Sequence, residues 1–244
     1  MNRQDYGFSY KGEPIFTYIQ RDAPHPPESK LDEDFFVYVM GPYTAFDASH
    51  AYTDSGKLET PFIEDSLFDP KRHITNNDRS NYEAALNDVC SWLRDEFGVR
   101  AFLATDINIP TEKEADEGEE SKSVLDQSVE FAAVSDAVIF IFSEAGLTTG
   151  TGAEVGAILG EFHLREGNLE TIRKPRERFR IFKTEGFTSA SINEIPITYD
   201  IDTMKFEEKD DLIDKVQQFL ANIERNDSDR QLPIFNAYTN SDSE

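Results

Sequence analysis

Five short apolar runs alternate with segments of helical period, and that alternation leaves the chain very few folds. FFVYVM (35–40), VRAFLATDI (99–107), DAVIFIF (136–142), ERFRIFKTE (177–185) and TMKFEE (203–208) are rich in aromatic and β-branched residues and read as strands. FFVYVM and DAVIFIF are nearly unbroken apolar runs, which suits strands covered on both faces. Between the runs, SNYEAALNDVCSWLRDEFG (80–98) sets Ala84, Ala85, Val89, Trp92, Leu93 and Phe97 broadly on one face and stops at Gly98. Residues 123–135, 150–166 and 209–224 read as further helices. The expected fold is a doubly wound α/β sheet of about five parallel strands with helices on both faces. Ligands of such sheets bind beyond the carboxyl ends of the strands. That rule gathers three segments in one place: GPY (41–43), the TD pair ending in Asp106, and SEAGLTTGTGAE (143–154).

The rest of the chain frames one α/β domain over residues 31–225. Residues 1–30 read as a polar extension, in which GEPIFTYIQ is expected as a short edge strand and DAPHPPESK as a break made by three prolines. Residues 44–79 form a long polar stretch without a clear period, the kind of loop that is functional or mobile in a compact domain. Residues 226–244 read as an acidic tail. The single cysteine, Cys90, excludes an intramolecular disulfide, and no apolar run is long enough to span a membrane; a cytoplasmic location follows as the default.

Charge narrows the partners. The chain of 244 residues carries 48 Asp and Glu against 24 Lys and Arg, a net charge of −24. Spread along the whole length, this excess reads as adaptation to a salty cytoplasm, where mobile ions screen the repulsion. No Lys/Arg stripe is visible to meet phosphates, so duplex nucleic acid is disfavoured as a partner. The four histidines, His25, His50, His73 and His163, show no ligand spacing, and no metal or cofactor is expected.

The densest local signal is TTGTGAEVG (148–156), directly after the third strand. Glycines at a strand-to-helix turn let an anion approach free backbone N–H groups, and Thr148, Thr149 and Thr151 add hydroxyls. With the helix starting at Gly150, Glu154 is expected in its first turn, where the helix dipole keeps a carboxylate ionised. Glycines 152, 156 and 160 recur every fourth residue and are expected to offer the sheet a smooth face. Each feature also has an ordinary structural use: tight turns need glycine, and glutamates favour helix starts.

Together VYVMGPY (37–43), LDQSVEFAAVSDAVIFIF (125–142) and GTGAEVG (150–156) resemble the nucleoside 2-deoxyribosyltransferase superfamily, which includes the 2′-deoxynucleoside 5′-monophosphate N-glycosidases. The shared pattern is an apolar strand ending in a glycine–proline turn, an aspartate shortly before an SD pair that opens a hydrophobic strand, and a glycine-rich stretch running into a glutamate. The resemblance implies a flavodoxin-like sheet and cleavage of an N-glycosidic bond. It implies Glu154 as nucleophile at the anomeric carbon and Asp126 as proton donor or positioning group. It further implies that Gly41 allows close backbone approach, that Tyr43 stacks on base or sugar, and that Gly150, Thr151 and Gly152 meet a 5′-phosphate. Asp106, Thr148 and Thr149 complete the expected substrate contacts, and a homo-oligomer is implied. The chain departs from the transferases six residues before the nucleophile, where they carry aspartate and this chain carries Thr148. Two other readings stay open: a TIR-like NAD(P) glycohydrolase, and a nucleotide-binding protein without turnover.

Overall fold

In the computed structural model, residues 7–28, 34–41, 67, 81–143, 148–164 and 176–226 are described. A two-residue hairpin, β1 (Ser9–Tyr10) and β2 (Glu13–Pro14), leads into helix α1 (Ile15–Asp22). The remaining elements are β3 (Phe36–Met40), α2 (Asn81–Phe97), β4 (Arg100–Phe102), α3 (Val124–Val134), β5 (Ala137–Phe142), α4 (Thr148–Leu164), β6 (Phe179–Thr184), α5 (Ala190–Tyr199), β7 (Thr203–Phe206) and α6 (Lys209–Asn226).

Strands β3 to β7 form one sheet in the order β4-β3-β5-β6-β7, and every pairing is parallel. Counting from β3, this is the 2-1-3-4-5 order of flavodoxin-like folds, the sheet the resemblance implies. All five residues of β3 and all six of β5 are buried, the two-sided burial expected of central parallel strands.

The pleat sends alternate residues to opposite cores. Phe36, Tyr38, Met40, Val138, Phe140 and Phe142 pack on one face under α1, α3, α4 and α5. Val37, Val39, Ala137, Ile139 and Ile141 pack on the other under α2 and α6, with Cys90 buried among them. Burial pushes the Cys90 thiol far above its ordinary pKa, so it behaves as a small apolar residue.

Two segments depart from the sequence expectation. Of the stretch expected as an edge strand, Glu13–Pro14 form β2, but from Ile15 onward it is the helix α1, because Ile15, Tyr18 and Ile19 fall at helical spacing and are all buried. Burying each such side chain is worth roughly 1.5–3 kcal/mol, which outweighs the local β preference. Helix α5 lies where the sequence reading places no element; Pro196 lies inside its ten residues, a position that costs an interior hydrogen bond. Ile192 and Ile195, buried against the sheet, hold it in place.

The amino-terminal segment is therefore part of the packed fold. Arg100 is 1% exposed; its guanidinium donates to Asp34 at 3.0 Å and to the Ala23 carbonyl, and it lies 4.9 Å from the Phe36 ring centroid. Tyr10 donates its phenol to the Glu120 carbonyl at 2.5 Å, and Lys11 pairs with Glu119 at 3.0 Å. These contacts close residues 7–23 over the loop that follows β4. Residues 44–66 and 68–79 of the long loop, and the tail from 227, lie outside the described residues.

Candidate functional site

The loop after β4 and the amino-terminal segment enclose a cleft of about 1020 Å³. Tyr10, Lys11, Tyr18 and Arg21 form one wall. Residues 104–111 with Lys113, Glu114 and Glu119 form a second, and Val124, Gln127 and Ser128 of α3 a third. Glu154 of α4 completes the lining. The cleft thus lies beyond the carboxyl end of β4, where open α/β sheets bind their ligands. Its volume matches the upper end of small-molecule sites.

Glu154 is 5% exposed although it lines this cleft. Its place in the helix differs from the sequence expectation. Helix α4 starts at Thr148, so Glu154 is the seventh residue, in the second turn, and the first turn holds no acidic residue. The dipole effect is concentrated in the first turn, which Glu154 does not occupy.

The glycine-rich stretch is helix rather than turn, and its glycines serve different ends. A Cβ on Gly152 would sit 3.1 Å from the Ile192 Cδ1 of α5, so that glycine allows two helices to approach. Gly156 has no atom within 4 Å of a built Cβ, and Gly160 only the Tyr199 hydroxyl at 3.9 Å. The smooth face expected against the sheet is absent; the one tight contact is with α5. Thr151 is buried and donates its hydroxyl to the Gly41 carbonyl at 2.9 Å, tying the end of β3 to α4.

Gly41 is required by packing. A Cβ there would lie 2.8 and 2.9 Å from the Leu86 methyls and 3.3 Å from the Ile141 carbonyl oxygen. Thr148, Thr149 and Gly150 form the first backbone turn of α4. Tyr43 lies outside the described residues.

Of the two carboxylates expected to flank the reaction, only Glu154 reaches the cleft. Asp126 is exposed in the first turn of α3, where its N–H donates to the Ser123 hydroxyl at 3.1 Å, and it does not line the cavity. Asp106 does line it, with Oδ2 accepting the Leu103 N–H at 2.8 Å. The Asp of the SD pair, Asp136, is structural: Oδ2 accepts the Phe36 N–H at 2.9 Å and fixes the start of β3 against β5.

Sequence reasoning missed the amino-terminal wall and the α3 wall. Ile15, Tyr18 and Ile19 carried a helical signal, but nothing local ties Lys11 or Arg21 to a cleft. Gln127 is buried and donates to the Ile109 carbonyl at 3.2 Å, shaping the floor. The Ser128 hydroxyl is fully buried in the lining and has no hydrogen-bond partner among the described residues, a cost that a ligand group can relieve.

The charges on the walls are largely matched. The Glu119 carboxylate beside Lys11 raises the lysine's pKa and is itself lowered by it. Asp22 raises Arg21, and the N–H and hydroxyl of Thr111 lower Glu114. Among the described residues no cluster of His, Cys, Asp and Glu suits a metal ion. Also among the described residues, no helix is long and apolar enough to cross a membrane.

Residues 25–236 match the family described as a domain of unknown function, DUF7509. That match covers most of the chain, which therefore belongs to this family. No curated protein and no solved structure shows significant similarity to it.

Proposed function

We propose that this DUF7509 protein cleaves the N-glycosidic bond of a small nucleoside or nucleotide, with Glu154 as the nucleophile. One observation carries the reading: a nearly buried glutamate lines a ligand-sized cleft beyond the carboxyl end of a 2-1-3-4-5 parallel sheet. Burial in a polar-walled cleft keeps water off a carboxylate and strengthens its interaction with a developing positive charge on the sugar.

In the first step a bond forms from the Glu154 carboxylate to C1′ as the bond from C1′ to the base nitrogen breaks. The base leaves with the bonding electron pair and takes its proton from the Asp106 carboxyl, acting as general acid. In the second step water, or the nitrogen of an acceptor base, attacks C1′, gives its proton back to Asp106 and frees the Glu154 carboxylate. Asp106 takes the part that the resemblance assigned to Asp126, since Asp106 shares the cleft with Glu154. Ser128 supplies an unused hydroxyl for a sugar oxygen.

The size of the cleft favours one second reading, hydrolysis of a dinucleotide such as NAD, for which about 1020 Å³ is room enough. The net charge of −24 supports operation in concentrated salt.

The experiment is incubation in high-salt buffer with deoxynucleosides, nucleotides and NAD, with released base measured by chromatography. Base release that Glu154→Gln abolishes is the expected result, and nicotinamide release selects the dinucleotide reading. Ligand-dependent thermal stabilisation with no release of any base would leave a binding protein and overturn the catalytic account.

A further inference from the structure

Lys183 and Lys205 stand opposite each other in register on β6 and β7, near the carboxyl ends of both strands. Side chains opposite each other on neighbouring strands share a face of the sheet. That face is the one covered by α5, since Ile181, two residues before Lys183, packs with Ile192 and Ile195. Lys183 donates from Nζ to the Asn193 Oδ1 at 2.6 Å. Burial first, and the neighbouring Lys205 charge second, lower its pKa.

Among the described lysines, Lys11, Lys122, Lys209 and Lys215 each reach a carboxylate within 3.0 Å, whereas Lys113, Lys183 and Lys205 do not; only Lys183 and Lys205 also face each other in register. Lys183 and Lys205 pair with no carboxylate among the described residues, although the chain has 48 Asp and Glu. Like charges directly opposite on neighbouring strands destabilise a sheet, and partial burial of one adds to the cost. A bound anion removes both penalties.

The pair also lies apart from the Glu154 cleft. Gly152 faces Ile192 of α5, whereas Glu154, two residues on, lines the cleft. Two residues turn a helix by roughly 200°, so α4 presents opposite flanks to α5 and to the cleft. We propose that Lys183 and Lys205, with Asn193 orienting Lys183, form a second site that binds a phosphate-type oxyanion. Two ammonium groups on one side match the charge and the acceptor oxygens of such a group. Free inorganic phosphate and the phosphate of a nucleotide offer the same chemistry.

The test is titration with inorganic phosphate at constant high ionic strength made up with KCl, read as a shift in Tm. Saturable stabilisation of the unaltered protein is expected. Lys183→Met and Lys205→Gln each weaken it by roughly tenfold, the loss of one charge-assisted hydrogen bond, while Glu154→Gln leaves it unchanged. Lys205 is exposed, so Lys205→Gln carries the test if Lys183→Met does not fold. Lysine-dependent stabilisation by a nucleoside 5′-monophosphate at lower concentration than by inorganic phosphate identifies a nucleotide as the source, and stabilisation no better than by inorganic phosphate identifies free phosphate. Absence of any phosphate shift, or an equal shift in the lysine variants, overturns the proposal. Because phosphate binding needs no Glu154 chemistry, this result is independent of base release.

Discussion

Gly41→Ala isolates the reason for glycine at the end of the first sheet strand. The new methyl would lie 2.8 and 2.9 Å from the two Leu86 methyls, against an ordinary carbon contact of about 3.5–4.0 Å. Leu86 is 1% exposed and packed between α2 and the sheet, so its side chain has little room to turn away. The Ile141 carbonyl at 3.3 Å blocks a shift toward β5. Overpacking of this kind costs about 1–3 kcal/mol. Gly41 does not have a positive φ, so alanine suffers no backbone strain. Lower entropy of the unfolded chain returns about 0.4–1 kcal/mol, so the net loss lies between about 0 and 2.6 kcal/mol, centred near 1.3 kcal/mol.

The assay is denaturant unfolding at constant high salt, where a pure stability change moves the midpoint and leaves the slope unaltered. Leu86→Ala provides the second arm. Alone it opens a cavity, but combined with Gly41→Ala it makes room for the added methyl, so the double mutant should lose less than the sum of the two single losses. A Gly41→Ala protein more stable than the parent, or additivity in the double mutant, would refute the packing explanation and return Gly41 to a ligand-facing role.

Thr151→Val should cost about 1 kcal/mol in the same assay, since it removes the bond to the Gly41 carbonyl and keeps the side-chain shape; no loss would mean that α4 is held by other contacts. Burial raises the Glu130 carboxyl above its ordinary value near 4.5, against the opposing pull of Lys122. A group held more protonated in the fold stabilises fully below its unfolded pKa and loses that contribution as pH rises through the folded value. The stability of the parent relative to Glu130→Gln should therefore fall as pH climbs above about 4.5, measured as paired Tm values; a rising difference would mean that the pull of Lys122 outweighs burial. Dilution to about 10 mM salt extends the screening length to about 30 Å and should unfold the chain, as followed by circular dichroism. A retained spectrum would contradict the salt-adaptation reading.

Of the residues that line the cleft, the sequence reading named Asp106 and Glu154 and none of the walls around them. Glu154 was identifiable because a polar residue follows a glycine-rich stretch after a buried strand. Its depth in the helix was not, because TTGTG reads locally as a turn. Thr151 bonded to Gly41, and Gly152 seated against Ile192, draw those residues into α4 and move Glu154 to the second turn. Asp126 sits where a helix start wants a carboxylate, and that local preference said nothing about which cavity it would reach.

What the sequence determined by itself is the sheet. Unbroken apolar runs bury on two faces, helical periods bury on one, and their near-alternation points to a parallel, doubly wound sheet, although the helix between the last two strands carried no such period. Which residues share the cleft was decided by the tertiary structure. Tyr10, Lys11, Tyr18 and Arg21 meet Ser128 and Glu154 only because Arg100 and the α1 core fold the amino-terminal segment over the loop after β4. Contacts between residues more than a hundred positions apart leave no local pattern, since each partner is chosen by the space the other elements leave open.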